Sequence, residues 1–563
     1  MKICVLDIEG TGLAELILDS KGNPAKEATR VLCAATKVPN QEPILWLEHQ
    51  MSSLVEYLKQ FDVIIGHNIF GYDFPVMRRL HGMARPKCIV DTLVISKLMY
   101  PDINSHPLGD NSLESWGKYL KFPKMEYTKG WSAYNDEMGT YCKQDTRLGE
   151  AIYQAQKKFI SDNKTVVAFE HQVSEVLMEQ VCNGFNYDLN AGEQLYQNLL
   201  LEKLGIEDEM RTIFPDRIII RHSDKTGKRL KDKIEVFNPG SRQQIADRLT
   251  EKYGWEPPTT DKGNPKVDES VLSTLEYPEA KKLVEYFDTC KLMGMVEDWN
   301  TRAANSRDNK IHGGINAQGA ATGRCTHSQP NVAQVSGDHR ARELWVPDAG
   351  NVLVGADLSG LELRMLAHFM AKYDNGEYAK VLLTGDIHTH NQKAAGLESR
   401  SLAKSFIYAY LYGAGDKKIA LVCNCSVDAA RKLRERFQKE IPALAKVQEA
   451  VRYETIKTGK VRLPDGRMVP VRSEHAALNT LLQGSGAIVS KYWMVQADKS
   501  VRAMGAKQLA YIHDELQYSC PASVAEEFGK AVTAAATKAG ELLKLNIRID
   551  AEYRVGKSWA ETH

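Results

Sequence analysis

Arg400 to Gly413 reads R-S-L-A-K-S-F-I-Y-A-Y-L-Y-G. Wound as a helix, it sets Arg400, Lys404, Tyr408 and Tyr412 in one line at four-residue intervals, two cations followed by two phenols. A core-facing stripe repeats aliphatic residues instead, and Leu402, Phe406, Ile407, Ala409 and Leu411 supply that flank. Cations followed by aromatic rings suit a triphosphate followed by a stacked base. Taken alone, the pattern fits a solvated Arg/Lys face with two snorkelling tyrosines better than a binding site. Carboxylates elsewhere in the chain have to tip that balance.

Upstream, Val352 to Asp357 reads as a buried strand ending in an acid, and Leu358, Ser359 and Glu362 follow as the chain turns into a helix. Downstream, Leu509 to Tyr518 sets His513-Asp514-Glu515 between apolar flanks, the pattern of a hairpin with acids at its tip. Earlier come Thr322-Gly323-Arg324 and Pro330-Asn331, where a Gly beside an Arg lets backbone approach a ligand closely. Each piece is ordinary by itself. In order, Asp-x-Ser-x-x-Glu, Arg-x-x-x-Lys with Tyr-Gly, and His-Asp-Glu resemble the polymerase motifs of family A DNA polymerases, and Thr-Gly-Arg resembles the element that precedes them.

At the other end of the chain, Lys2 to Leu6 reads as a buried strand running into Asp7-Ile8-Glu9-Gly10. Asp7 and Glu9 share one strand face, and two such carboxylates repel unless a cation lies between them. A second buried run, Val63 to Gly66, leads into His67-Asn68-Ile69-Phe70-Gly71-Tyr72-Asp73, and a helix puts Tyr141 and Asp145 one turn apart. Asp-x-Glu, Asn-x-x-x-Tyr-Asp and Tyr-x-x-x-Asp, in that order, resemble the motifs of the four-acid proofreading exonucleases. That likeness implies that Asp7, Glu9, Asp73 and Asp145 hold two metal ions and that Tyr141 positions the attacking water. Gly10 departs from the Thr usual in that family, which puts a primer-end contact in doubt. Asp91 reads as a helix cap or structural carboxylate.

With 563 residues, the chain is too long for one core and reads as a multidomain globular protein. No apolar run is long enough to span a membrane, and the N-terminus shows no leader pattern, so the expectation is a soluble protein. The ten cysteines are scattered without zinc-site spacing and read as reduced structural thiols. A net charge of +1 requires any surface for a polyanion to be a local patch. Helical periodicity runs from Val166 to Leu204 with a break at Gly184, then over Gln243 to Lys252 and Glu276 to Met293, the pattern of a clamp of long helices. The connecting segment carries Arg217, Arg221, Lys225, Lys228, Arg229, Lys231 and Lys233 against Asp224 and Asp232. It reads equally well as a phosphate-tracking loop and as a solvated one.

The family likeness covers essentially the whole chain and is strongest to the replicative polymerases of T-seven-like short-tailed bacteriophages. It implies a multidomain α/β and α+β fold, in which a ribonuclease-H-like 3′-5′ exonuclease precedes a right-hand polymerase. The expected divisions are 1–160 exonuclease, 161–345 thumb and approach to the palm, 346–372 palm, 373–494 fingers and 495–563 palm again. It further implies a template-directed, DNA-dependent DNA polymerase with proofreading. Two Mg2+ ions serve each site, with Mn2+ able to substitute; Asp357, Asp514 and Leu358 are the polymerase metal ligands, and Glu515 supports them.

His388, Arg400 and Lys404 are expected on the triphosphate and Tyr408 at the sugar beside Glu362, where the pair excludes a 2′-hydroxyl. Tyr rather than Phe at 408 implies tolerance of dideoxynucleotides. Tyr412 is expected at the templating base, and Arg324, Asn479, Gln483 and His513 on the duplex near the primer terminus. His475, where many relatives carry Arg, weakens one duplex contact. Expected partners are primer-template DNA, dNTPs and replisome proteins such as a helicase-primase and a single-stranded-DNA-binding protein, in the cytoplasm of an infected bacterium. Thioredoxin is not expected, because the span from Gly205 to Asn238 is short for the insertion that holds it. Two rival readings are a single-subunit RNA polymerase, opposed by Glu362 and the exonuclease motifs, and a non-catalytic DNA-binding protein, opposed by two complete sets of clustered acids.

Overall fold

The computed structural model describes all residues except 15, 16, 19–23, 26, 103–106 and 223–225. Two units emerge. One comprises Met1–Asn186, Lys310–Gln334 and Val346–His563; the other comprises Tyr187–Asn309 and Val335–Trp345.

The first unit begins with a five-stranded sheet built from β1 (Ile3–Gly10), β2 (Val31–Lys37), β3 (Ile44–Leu47), β4 (Val63–Gly66) and β5 (Ile89–Asp91), in the order β3-β2-β1-β4-β5. β1 pairs parallel with β4 and antiparallel with β2. Both faces are covered, which is why β4 is buried along its whole length and reads as an unbroken apolar run; β2 is equally buried but ends in Thr36 and Lys37, the latter paired with Glu150. Around the sheet lie α1 (Asp73–His81), α2 (Thr92–Met99), α3 (Leu113–Tyr119), α4 (Asp136–Asp162) and α5 (Lys164–Asn183). Asp91 is the N-cap expected of it: it accepts from Leu93 N and, from the segment before α1, from Asn68 N and Phe70 N.

In the second unit, α6 (Leu189–Ile213) and α8 (Pro278–Asn305) pack along each other, with a hairpin of β6 (Arg217–Ile219) and β7 (Lys233–Glu235) and a helix α7 (Arg242–Tyr253) in between. Its core gathers Ile206, Met210, Phe237, Leu249 and Leu283. The basic segment here is less available than its sequence promises. Arg217 pairs with Glu235, Asp247 and Glu251, pinning the hairpin to α7, and Arg229 pairs with Asp232. Lys225 and Asp224 lie outside the described residues.

The C-terminal half of the first unit is organised on an antiparallel sheet: β8 (Asn351–Leu358), then helices α9 (Leu361–Asp374), α10 (Ile387–Ala395), α11 (Arg400–Leu411) and α12 (Ala477–Met504). It continues with β9 (Lys507–Ile512), β10 (Glu515–Pro521), α13 (Ala525–Leu542), β11 (Ala551–Gly556) and α14 (Trp559–Thr562). The strand order is β9-β10-β8-β11. This sheet and its helices share one large core. All ten cysteines are free, and among the described residues no helix is long and apolar enough to cross a membrane.

Candidate active sites

The end of β8 and the β9–β10 turn converge. In the register, Asp357 lies opposite Glu515 on one side and Glu552 on the other, and Leu358 N donates to Asp514 O at 2.9 Å. His513 takes φ +58°, the left-handed step that lets the chain reverse between β9 and β10. Burial first, then the nearby Asp514 and Glu515, push Asp357 up to about 7; burial first, then Glu362, push Asp514 up to about 6. These are carboxylates short of positive charge. Glu515 differs. Burial would raise it, yet it sits below its ordinary value because His563 Nδ1 (2.9 Å), Gln517 Nε2 (2.8 Å) and Trp559 Nε1 (2.6 Å) bond its two oxygens. Its carboxylate is bolted to the C-terminal segment. The side chain of Leu358 is buried, so only its main chain can face a ligand.

The stripe of α11 is present as expected. Arg400 and Lys404 are exposed, Tyr408 is half-buried, and Tyr412, just past the last turn, is exposed. Arg400 Nε donates to Asp386 Oδ2 at 2.7 Å, an exposed pair that a phosphate can replace at little cost. Asp386 is also the N-cap of α10, accepting from His388 N and Thr389 N. Asp386 thus joins Arg400, one turn from Lys404 on α11, to the start of α10 beside His388, which burial first and then Arg400 and Lys404 hold below its ordinary value. Its Nδ1 is buried without a hydrogen-bond partner among the described residues.

Glu362, at the start of α9, accepts from the Tyr412 hydroxyl at 3.1 Å and lies 3.9 Å from Arg324 Nη2. The sequence reading put Glu362 with Tyr408; here its hydrogen bond goes to Tyr412, whose ring stacks on Tyr408 at 6.4 Å. Burial first, then Glu362 and Asp514, raise the Tyr408 phenol. A cleft of about 150 Å³ is lined by Arg324, Glu362, Tyr412, His513 and Asp514. Asn479 and Gln483 are half-buried one turn apart on α12, with Asn479 Oδ1 buried and unpartnered among the described residues. His475 is exposed in the turn before α12.

A second acidic site sits on the N-terminal sheet. Asp7 and Glu9 project from β1; Asp73, the first residue of α1, accepts from Ile8 N at 3.0 Å; Asp145 and Tyr141 come from α4. Cys142 of α4 lies against the pair, its Sγ donating to the Asp7 main-chain oxygen at 3.4 Å. Burial and then Asp145 push Asp7 up to about 8, burial and then Asp7 raise Glu9 and Asp73, and burial raises Asp145. Asp7 Oδ2 and Asp145 Oδ1 are buried without a hydrogen-bond partner among the described residues. Clustered, orphaned, hard oxygen atoms fit divalent cations such as Mg2+. Gly10 has a local reason: a Cβ there would lie 2.7 Å from the Tyr72 hydroxyl, which donates to Gly12 O.

The match to DNA polymerase family A spans residues 219–561. The chain belongs to that family. It is 30% identical to the DNA-directed DNA polymerase of Enterobacteria phage T3, over 91% of this chain and 94% of the relative. It is likewise 30% identical to that of Escherichia phage T7, over 89% and 92%. Its fold matches the POL domain of Pol1 from M. smegmatis, solved in complex with DNA primer-template and dNTP, with a TM-score of 0.80 at 18% identity over 99% of this chain and 96% of that one.

Family A DNA polymerases use divalent metals, and both acidic clusters of this member offer the oxygen donors such ions take. Two features of this family A chain have no signal in its sequence: Lys124, whose ammonium reaches Asp145 Oδ2 at 3.0 Å, and the Trp559–His563 clasp on Glu515. Both depend on contacts between distant segments, which no periodicity reports. Asp386 marks the start of α10, its carboxylate accepting from the Thr389 hydroxyl at 2.8 Å.

Proposed function

We propose that this family A DNA polymerase adds deoxynucleotides to a primer 3′-hydroxyl at the β8 site, removes 3′-terminal nucleotides at the N-terminal acidic site, and replicates a phage genome. The observation that carries the first part is the line of contacts from acids to cations: Asp514, Glu362 and Tyr412 line one cleft, Tyr412 donates to Glu362 and stacks on Tyr408, and Tyr408 shares α11 with Lys404 and Arg400, which pairs with the Asp386 cap before His388.

Asp357, Asp514 and the Leu358 carbonyl would hold two Mg2+ ions, replaceable by Mn2+, whose charge would lower the primer hydroxyl's pKa and offset that on the leaving pyrophosphate. Glu515 keeps the tip of the hairpin in place. Arg400, Lys404 and His388 bind the β- and γ-phosphates, and Lys404 hands a proton to pyrophosphate as the α–β bridging P–O bond breaks. Tyr408 packs against the sugar, and with Glu362 leaves no room for a 2′-hydroxyl. Tyr412 covers the templating position, while Arg324, Asn479, Gln483 and His513 hold the duplex near the primer end. In the second site, Asp7, Glu9, Asp73 and Asp145 would hold two further ions, and Tyr141 orients a water whose oxygen bonds phosphorus as the P–O3′ bond breaks, the water's proton leaving to solvent and the released 3′-oxygen taking one up.

On this reading, residues 1–160 form the ribonuclease-H-like exonuclease, 161–345 the thumb and approach to the palm, 346–372 and 495–563 the palm, and 373–494 the fingers. Primer-template DNA and dNTPs are its ligands, with helicase-primase and single-stranded-DNA-binding protein as replisome partners and thioredoxin not required. The test is single-nucleotide addition to a recessed primer in Mg2+, complementary dNTP against the matching rNTP. Addition of the dNTP at a far higher kcat/KM is expected; equal use of the rNTP overturns the sugar-side assignment.

A further inference from the structure

Lys124 enters the N-terminal acidic site from the loop that follows α3. Phe122 N donates to Gly117 O at 2.9 Å, which ties the start of this loop to the helix. The Lys124 ammonium reaches Asp145 Oδ2 at 3.0 Å and lies 4.9 Å from the centre of the Tyr141 ring. Asp145 is almost wholly buried, Lys124 only 24% exposed in its side chain, so the pair is shielded from solvent. The same loop packs Tyr127 and Trp131 against Tyr141, at 5.6 and 6.0 Å between ring centres. Tyr141 is thus held on several sides, and the loop contributes a cation exactly where α4 contributes an acid and a phenol one turn apart.

We propose that Lys124 is a positioning residue for 3′-terminal hydrolysis, holding Asp145 and Tyr141 in register and giving the loaded site a positive charge beyond that of its ions. The inference rests on reading this cluster as the hydrolytic site. Four carboxylates and two divalent ions balance in charge, so the scissile phosphodiester finds no counter-charge in them, and its charge grows as water adds. A fixed ammonium beside Asp145 supplies the missing charge. Before the ions arrive, the same ammonium relieves repulsion among the acids and opposes entry of a further cation near Asp145.

The test uses the full chain carrying Asp357→Ala, with Lys124 intact, Lys124→Met or Lys124→Arg. Three quantities are read: kcat and KM for hydrolysis of a 5′-labelled single strand in Mg2+, Mn2+ affinity from the EPR signal of the free ion, and the unfolding midpoint. Lys124→Met is expected to lower kcat by about 10–100-fold with KM little changed. Mn2+ should bind it more tightly, because a repelling cation is gone, and Lys124→Arg should recover most of kcat. A Met variant with undiminished kcat overturns the proposal. So does one that loses kcat together with Mn2+ affinity and unfolding midpoint, since that is the mark of a merely structural role. If the chain with Lys124 intact degrades no single strand, the reading of the cluster as hydrolytic falls, and the proposal with it.

Discussion

Asp357 and Glu515 face each other across the β8–β10 ladder and carry opposite burdens. Glu515 has three donors and stays ionised; Asp357 and Asp514 have too few and are pushed up to about 7 and about 6. If the second pair holds Mg2+ as proposed, protons compete with the metal for it. The half-saturating Mg2+ concentration for primer extension should rise as pH falls below about 7, reaching about tenfold per pH unit where one proton is exchanged. An Mg2+ titration at several pH values checks this. At the other site, Gly10→Thr forces a Cβ within 2.7 Å of the Tyr72 hydroxyl, beside Asp73, and should slow hydrolysis without altering extension by the same preparation. Which side chains share a site was legible where spacing encodes it, as with Asp7 and Glu9 two apart or Tyr141 and Asp145 four apart. Lys124 was not, because a loop lysine carries no spacing to either partner.

α11 is stopped at both ends by side chains and backbone that its sequence announces. Ser399 caps the start by accepting from Leu402 N. At the other end Gly413 takes φ +75°, while Ala414 N bonds Ala409 O and Gly413 N bonds Tyr410 O, a Schellman closure. Ser399→Ala should cost about 1 kcal/mol and Gly413→Ala about 1–2 kcal/mol. Since Arg400 and Tyr412 lie at those ends, each change should raise KM for dNTP more than it lowers kcat, as steady-state kinetics would show. The helix and its polar stripe could be read from four-residue spacing. Its buried face could be read only in part: Phe406, Ile407 and Leu411 are buried as expected, whereas Leu402 and Ala409 are half-buried and Ala403 and Tyr410 take their places. The reason lies outside the helix. Phe437 packs on Phe406 and Tyr410, and Gln438 and Gln448 donate to the Tyr410 hydroxyl, which makes burial of a phenol acceptable.

Across the first unit, one buried charge cluster ties α5 to the C-terminal half. Glu170 accepts from Lys491 Nζ at 3.1 Å and from Arg467 Nη1 at 2.6 Å, and Arg467 also pairs with Asp465. Glu170 and Lys491 are fully buried. Glu170→Ala leaves Lys491 without its buried counter-charge and should cost about 3–5 kcal/mol in an unfolding titration. Burial alone would raise Glu170, but Lys491 and Arg467 outweigh it and bring it to about 2. Being depressed, it contributes stability above the unfolded carboxylate range, lost only as pH falls toward about 2. Asp7 has the reverse sign: raised to about 8, it favours the metal-free fold at low pH, and that contribution is lost as pH rises through about 8. The metal-free unfolding midpoint should therefore decline toward pH 8, and Mg2+ should restore it most there. None of this cluster was legible, since its charges lie in distant segments, each ordinary in its own context. The acids of β1 and β8 were legible because each follows a buried apolar run, whereas Asp73, at the start of α1, and Asp145, within α4, stand out only by spacing that resembles a family motif. The claim that the chain holds two separate catalytic sites is tested most directly by a 5′-labelled primer on template in Mg2+, with wild type beside Asp357→Ala and Asp7→Ala. Asp357→Ala is expected to abolish extension and keep degradation, and Asp7→Ala to do the reverse. Normal extension by Asp357→Ala, or loss of both activities in either variant while it remains folded, would contradict the claim.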